Sequence, residues 1–400
     1  MVAVVVANII AQVASVTGIA VFPVIAPELA AELGVAPSLI GYQMSLLYGT
    51  ALLGSPFLSF MITRWGACRT SQVGLGFCVV AMALGLTANL WGLAATSVLL
   101  GMAMSIMTPA SAHLLFRFTS PKNRNFIFSV KQTGVPIGWT LMALVAPPIT
   151  VAFGWRWALL VVLMVALATM LALQSVRTRW DDDRYTRTTV QQRPFDGLRL
   201  VWRYPVLRWV SASSLFLTFV QLCLSTFAVT MLVEEAGYSL VAAGFILSLV
   251  QASGIAGRVM WGWVADRTGD CLGLLGKLCM TMVACCAAMV FLWPSWPAGL
   301  TGFVFMIFGA SAVGWNGLFL AEVARCSPRG LVSVATGGAM VWNFAGILIG
   351  PALFAAAYRL IGSYAWTYGL LSVIAAGGLC MVLLAAAAAR REGAVVISDK

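Results

Sequence analysis

Twelve apolar runs of membrane-crossing length, set apart by short polar breaks, constrain this chain more than any other feature. They cover 2–29, 38–62, 71–88, 92–114, 126–150 and 156–175, then 207–233, 238–264, 275–293, 298–322, 332–358 and 365–389. A bilayer core of roughly 30 Å takes about 20 apolar residues at ~1.5 Å each, so each run is of the right order to cross it. Backbone amides in lipid must be satisfied within their own segment, which makes each run a helix. The expected fold is an all-α membrane protein of twelve transmembrane helices. Charged residues are only 9% of the 400, and mean hydropathy is +0.95, which leaves no room for a large water-soluble domain. The first run lacks a basic leading segment and is too long for a cleaved signal, so it is expected to be a retained span.

The net charge of +11 does not point to nucleic acid, because Lys and Arg fall between the runs and form no basic face interleaved with aromatics. With the N-terminus inside, Arg64, Arg69, Arg117, Lys122, Arg124, Arg267, Lys277, Arg325, Arg329, Arg390 and Arg391 share one side. The other side receives Arg156 and Arg359, with Glu28, Glu32, Glu234 and Glu235. The positive-inside rule then puts both termini in the cytoplasm of a bacterial cell, with the spans in its inner membrane. Trp91, Trp155, Trp157, Trp293 and Trp296 mark the outer interface.

The one long polar stretch, Arg177 to Arg208, holds Asp181, Asp182, Asp183 and eight arginines. It divides the chain into an expected N-terminal six-helix bundle (1–175), a cytoplasmic linker (176–206), a C-terminal six-helix bundle (207–390) and a cytoplasmic tail (391–400). Nine cysteines include no C-x-x-C, and no disulfide, metal or cofactor is expected. The two halves resemble each other. Ser59-x3-Thr63-Arg64-x-Gly66 aligns with Gly262-x3-Asp266-Arg267-x-Gly269, and Gly66 and Gly269 are 203 residues apart. Ser120-Pro121 matches Ser327-Pro328, and Gly154-Trp155-Arg156-Trp157 loosely matches Gly362-Ser363-Tyr364-Ala365-Trp366. Matches in register argue for duplication into two pseudo-symmetric bundles.

Gly262-Trp263-Val264-Ala265-Asp266-Arg267-Thr268-Gly269 resembles the loop signature of the major facilitator superfamily, and the resemblance extends over the whole chain. It implies two six-helix bundles working by alternating access. Lys131-Gln132-Thr133-Gly134-Val135-Pro136, Gly314-Trp315-Asn316-Gly317 and Ala321-Glu322-Val323-Ala324-Arg325 are similar to cyanate-permease-like members. Gly257-Arg258-x3-Gly262 resembles the eighth span of monocarboxylate and oxalate/formate carriers, whose arginine there meets the substrate carboxylate. The resemblance also implies that Asp266, Arg267, Gly269, Glu322, Arg325 and Arg64 belong to a loop latch. Thr63 stands where an acidic residue is usual, so the first-half network is incomplete. Ser97 replaces the basic residue of proton-driven drug exporters, which disfavours that branch.

An ionised side chain at the bilayer centre costs about 2.5–3.5 kcal/mol on insertion scales, so charges inside spans are functional candidates. Lys131 lies about 10 Å inside the span edge marked by Arg124, and Arg258 about 12 Å inside that marked by Asp266. Both are cations, and no Asp or Glu lies deep in a span. An anion that joins the two is the expected substrate, an Arg fork matching a carboxylate's two oxygens; snorkelling or carbonyl capping is the bland alternative. Gln132 sits beside Lys131, and Gln12, Gln43, Tyr48, Gln221, Gln251, Asn316 and Asn343 are polar groups near mid-span. Each is either a ligand contact or a bond between helices. His113, the lone histidine, is a candidate proton relay near a span end.

With no nucleotide loop and no metal cluster, the sequence argues against an enzyme. It points to a secondary carrier, expected to be monomeric among membrane lipids, for a small organic anion, most simply a carboxylate. The alternatives are a proton-driven exporter of hydrophobic compounds and a transport-dead membrane sensor.

Overall fold

The computed structural model describes residues 2–58, 60–118, 130–182, 196–291, 296–328 and 331–398. Ser59, Ser120, Pro121, Lys122, Arg124, Asp183, Trp293 and Arg329, singled out above, lie outside the described residues. In chain order the helices are α1 (Val2–Leu33), α2 (Ile40–Leu58), α3 (Phe60–Trp65), α4 (Ala67–Gly85), α5 (Leu90–Phe118), α6 (Gly134–Phe153), α7 (Trp155–Ala172) and the short α8 (Arg177–Trp180). Then follow α9 (Asp196–Arg203), α10 (Pro205–Glu234), α11 (Leu240–Thr268), α12 (Cys271–Met289), α13 (Ala298–Ala312), α14 (Asn316–Cys326), α15 (Val332–Ile361) and α16 (Tyr364–Ser398).

Among the described residues, eleven segments are long and apolar enough to cross a membrane. The α2 helix holds the second place of the twelve-span pattern. Tyr42, Gln43, Ser45, Tyr48 and Thr50 stand among its leucines. Two boundaries differ from expectation. Helix α16 continues to Ser398, through the expected tail, because Ala385–Ala389 and the two arginines after them are good helix formers. Within the span at 298–322 the α-helix is interrupted once, since Val313, Gly314 and Trp315 form a turn between α13 and α14.

The chain divides into two compact units. One is Met1–Thr189 with Leu232–Glu234 and Tyr238–Ser248, and the other is Val190–Met231 with Glu235–Gly237 and Leu249–Lys400. The division falls inside the expected linker: Arg177–Trp180, Asp181 and Asp182 go with the first unit, and Asp196–Arg203 with the second.

The duplication is visible in how each unit ties its helix ends. Gly34 and Gly237 both have positive φ (63° and 71°), as do Gly66 and Gly269 (91° and 66°), and each pair is separated by the same 203 residues. Ahead of Gly34 and Gly237 stand Glu32 and Glu235, again 203 apart. Glu32 accepts from Trp155 Nε1 (2.7 Å) and pairs with Arg156, holding the end of α1 to the start of α7. Glu235 accepts from the backbone N–H groups of Tyr364 and Ala365 (2.8 Å for Ala365), holding the end of α10 to the start of α16.

At the opposite helix ends each unit caps the helix after its loop motif. In the second unit the cap is local: Asp270 accepts from Gly273 N at 2.8 Å, on the first turn of α12. In the first unit Ala67 occupies the corresponding place. The carboxylate comes instead from Asp181, which accepts from Cys68 N (2.7 Å) and Arg69 N (2.9 Å) and is buried. Gly66 makes this docking possible, since a Cβ there would collide with the Asp181 carboxyl group. Arg117 reinforces it, donating to Trp180 O (3.1 Å) and pairing with Asp182.

Candidate functional site

In the second unit the turn at Val313–Trp315 breaks a span in its middle and frees backbone carbonyls, which apolar surroundings do not tolerate without partners. Side chains supply them. Arg258 Nε donates to Val313 O (3.1 Å), Trp261 Nε1 donates to Ala310 O (2.8 Å), and Asn316 Nδ2 reaches Val313 O at 3.4 Å. Gln221 Oε1 accepts from both Trp315 Nε1 (3.0 Å) and Asn316 Nδ2 (3.1 Å), tying the turn to α10. Close backbone approach seats the turn: a Cβ on Gly257 would stand 2.7 Å from Ala310 O, and one on Gly309 would collide with Val250 O. Arg258, Gln221 and Asn316, three of the predicted residues, are thus brought together around a helix break that the apolar pattern did not reveal. The neighbouring Gly309 and Gly314 were its only local signal.

Two other predicted polar residues of this unit bond helix to helix. Gln251 donates to Ser225 Oγ (3.0 Å) and Asn343 to Thr218 Oγ1 (2.7 Å), both in buried positions. Of the residues assigned to a latch, Glu322 is buried and pairs with Arg325 three residues on. Asp266, Arg267 and Gly269 are exposed, and the Arg267 guanidinium lies 3.9 Å from the Trp263 ring centroid. No ion pair joins them to Glu322 or Arg325 among the described residues.

In the first unit the salient group is Lys131. It is 4% exposed, within the span Val130–Phe153, and makes no hydrogen bond or ion pair with any described residue. The other Asp, Glu, Lys or Arg side chains that are equally buried among the described residues, Asp181 and Glu322, both have partners of opposite polarity. Gln132 beside it is exposed, as are Arg64 and His113.

Further along the same span lies a cavity of about 50 Å³ whose wall is mostly apolar but carries several polar side chains. Its walls include Gln12 and Ser15 of α1, Tyr48 of α2, Thr108 and Ser111 of α5, and Trp139 of α6. Gln12 packs on Gly134, where a Cβ would stand 3.1 Å from Gln12 Cγ. Gln43 instead lines a larger cavity of about 250 Å³ among α1, α2 and α5, whose other walls are mainly Leu, Ala, Val and Pro.

The chain matches the model of the Major Facilitator Superfamily over residues 9–351. An uncharacterised MFS-type transporter of Mycobacterium tuberculosis is 27% identical over 42% of this chain, a match that spans only 37% of that relative's length. A gentisate transporter of Corynebacterium glutamicum is 24% identical over 83% of this chain and 76% of its own. The membrane sensor protein UhpC of Salmonella typhimurium is 23% identical over 88% and 84%. Among solved structures, a peptide transporter POT in complex with sulfate superposes with a TM-score of 0.76 over 97% of this chain and 94% of its own, at 14% identity. These similarities agree with the twelve-helix pattern and the repeated loop motif, and the chain belongs to the Major Facilitator Superfamily as a multi-pass membrane protein.

Proposed function

We propose that the protein is a secondary transporter that carries a small organic anion, a carboxylate, across a bacterial inner membrane by alternating access, with both termini in the cytoplasm. The observation that carries this reading is Lys131, a cation buried in a span without a counter-charge among the described residues. A charge at the bilayer centre costs about 2.5–3.5 kcal/mol, and an anionic ligand offsets the cost of a buried cation on arrival. Arg258 supplies the second unit's cation. Its Nε donates to Val313 O, which holds the guanidinium in place, and a guanidinium's planar set of donors matches a carboxylate's two oxygens. The gentisate transporter among the relatives, whose name specifies an aromatic carboxylate, supports the same class.

Counterflow of radiolabelled carboxylates in proteoliposomes tests the proposal. Flux should fall at least ten-fold in Lys131→Gln and in Arg258→Gln, and undiminished flux in both variants would refute it. A second reading, a membrane sensor that binds without transporting, is favoured by the similarity to UhpC. It requires carboxylate binding to the purified protein with no flux in the same vesicles. Flux of lipophilic compounds indifferent to Arg258 would instead mark an exporter.

A further inference from the structure

The 50 Å³ cavity of the first unit carries polar wall groups that no described residue satisfies. Ser111 is 6% exposed, and its enclosed Oγ has no hydrogen-bond partner among the described residues. Gln12, Tyr48 and Thr108 line the same space, and their side chains likewise bond to no described residue. A buried hydroxyl left without a partner costs about 1–3 kcal/mol, so the cavity is chemically incomplete. Every polar group on its wall is uncharged, which makes it a poor place for the carboxylate itself.

Size and register limit what can enter. At about 50 Å³ the cavity has a third of the ~150 Å³ that accommodates a benzene ring, so it takes two or three non-hydrogen atoms and excludes a whole ring. Val135 and Trp139 line it, and they follow Lys131 at intervals of four, on one face of the span. Val135, the first of these two wall residues, therefore stands about 6 Å along the helix axis from the backbone of Lys131. We infer that this cavity receives an uncharged, hydroxyl-bearing end of the transported anion while Lys131 holds its carboxylate, so that the substrates are hydroxy acids whose hydroxyl is remote from the acid group. The inference rests on the anion-carrier reading and narrows it.

Titration calorimetry on the purified full chain, with two pairs of probes that differ by one hydroxyl, tests it: benzoate against 4-hydroxybenzoate, and butyrate against 4-hydroxybutyrate. In the unaltered protein the hydroxylated member of each pair should bind at least ten-fold tighter. Ser111→Ala and the near-isosteric Thr108→Val should each cut that ratio to three-fold or less, and a melting scan before titration identifies any variant that has not folded. Lys131→Met should weaken all four probes together. Equal affinities within each pair, or a ratio that survives both hydroxyl deletions, would overturn the inference while leaving the anion reading standing if Lys131→Met still weakens binding. Should none of the four bind, or Lys131→Met leave them all unaffected, the anion reading fails and takes the inference with it.

Discussion

Replacing Asp181 by alanine should cost this protein about 3 kcal/mol, although nothing in the sequence around residue 181 suggests such a role. The carboxylate accepts two backbone N–H groups at 2.7 and 2.9 Å on the first turn of α4, in a position only 3% exposed. Hydrogen bonds to a charged acceptor contribute roughly 1.5–3 kcal/mol each, and a negative charge at a helix start adds about 0.3–1 kcal/mol. Water admitted to the vacated space recovers part of that sum, which brings the expected loss to about 3 kcal/mol. Extending the known size dependence to a chain of this length gives about 1–2 °C per kcal/mol, hence a fall in Tm of about 3–6 °C. Asp181→Asn keeps one acceptor oxygen and should lose about half as much. Asp182→Ala removes only a pair with Arg117 in which Asp182 is 58% exposed, and exposed pairs contribute at most about 1 kcal/mol. Fluorescence-detected melting of the purified proteins, in one detergent and at one scan rate, resolves these differences. An Asp181→Ala protein that melts within about 1 °C of the unaltered one, or an Asp182→Ala protein that falls as far, would refute the capping argument.

Three further outcomes follow from the same geometry. Lys131→Met should raise the melting temperature while abolishing anion binding, because it removes a buried charge with no partner among the described residues and its ligand contact together; a lower melting temperature would contradict the burial argument. Gln221→Met leaves the Trp315 and Asn316 donors without their shared acceptor and should cost about 2–3 kcal/mol, measurable by the same melting assay. Gly338→Ala would drive a methyl group into the Gly197 carbonyl, where α9 packs on α15. Overpacking of this kind costs about 1–3 kcal/mol, and limited proteolysis near Gly197 should quicken as the helix is displaced.

Much of the architecture was legible because membrane spans announce themselves by length and because duplication leaves residues in register. Gly66 and Gly269 gave away the repeat, and Glu32 and Glu235 carry the same spacing for a reader who looks for it. Lys131 and Arg258 stood out for a simple reason, since few charges enter a span. The cap on α4 was not legible, because its carboxylate comes from Asp181, far along the chain from Cys68 and Arg69, and no local pattern links them. The turn at Val313–Trp315 was hidden for the opposite reason. The residues around it are as apolar as those of any continuous span, and the break is recorded only in the partners that Arg258, Trp261 and Gln221 provide. Gln251 and Asn343 show the ambiguity of mid-span amides, which bond to Ser225 and Thr218 although their sequence positions look the same as that of the cavity-lining Gln12.

The paired glutamates at the ends of α1 and α10 have diverged in what they demand of the rest of the chain. Glu32 depends on two particular side chains, the Trp155 indole and the Arg156 guanidinium, and its ion pair is exposed and open to screening by salt. Glu235 binds main-chain N–H groups, which residues 364 and 365 offer whatever their side chains are, proline apart. Descendants of the two copies therefore face different freedoms. Drift at 364 and 365 leaves that clamp intact, whereas drift at 155 or 156 dissolves its counterpart unless position 32 changes in step.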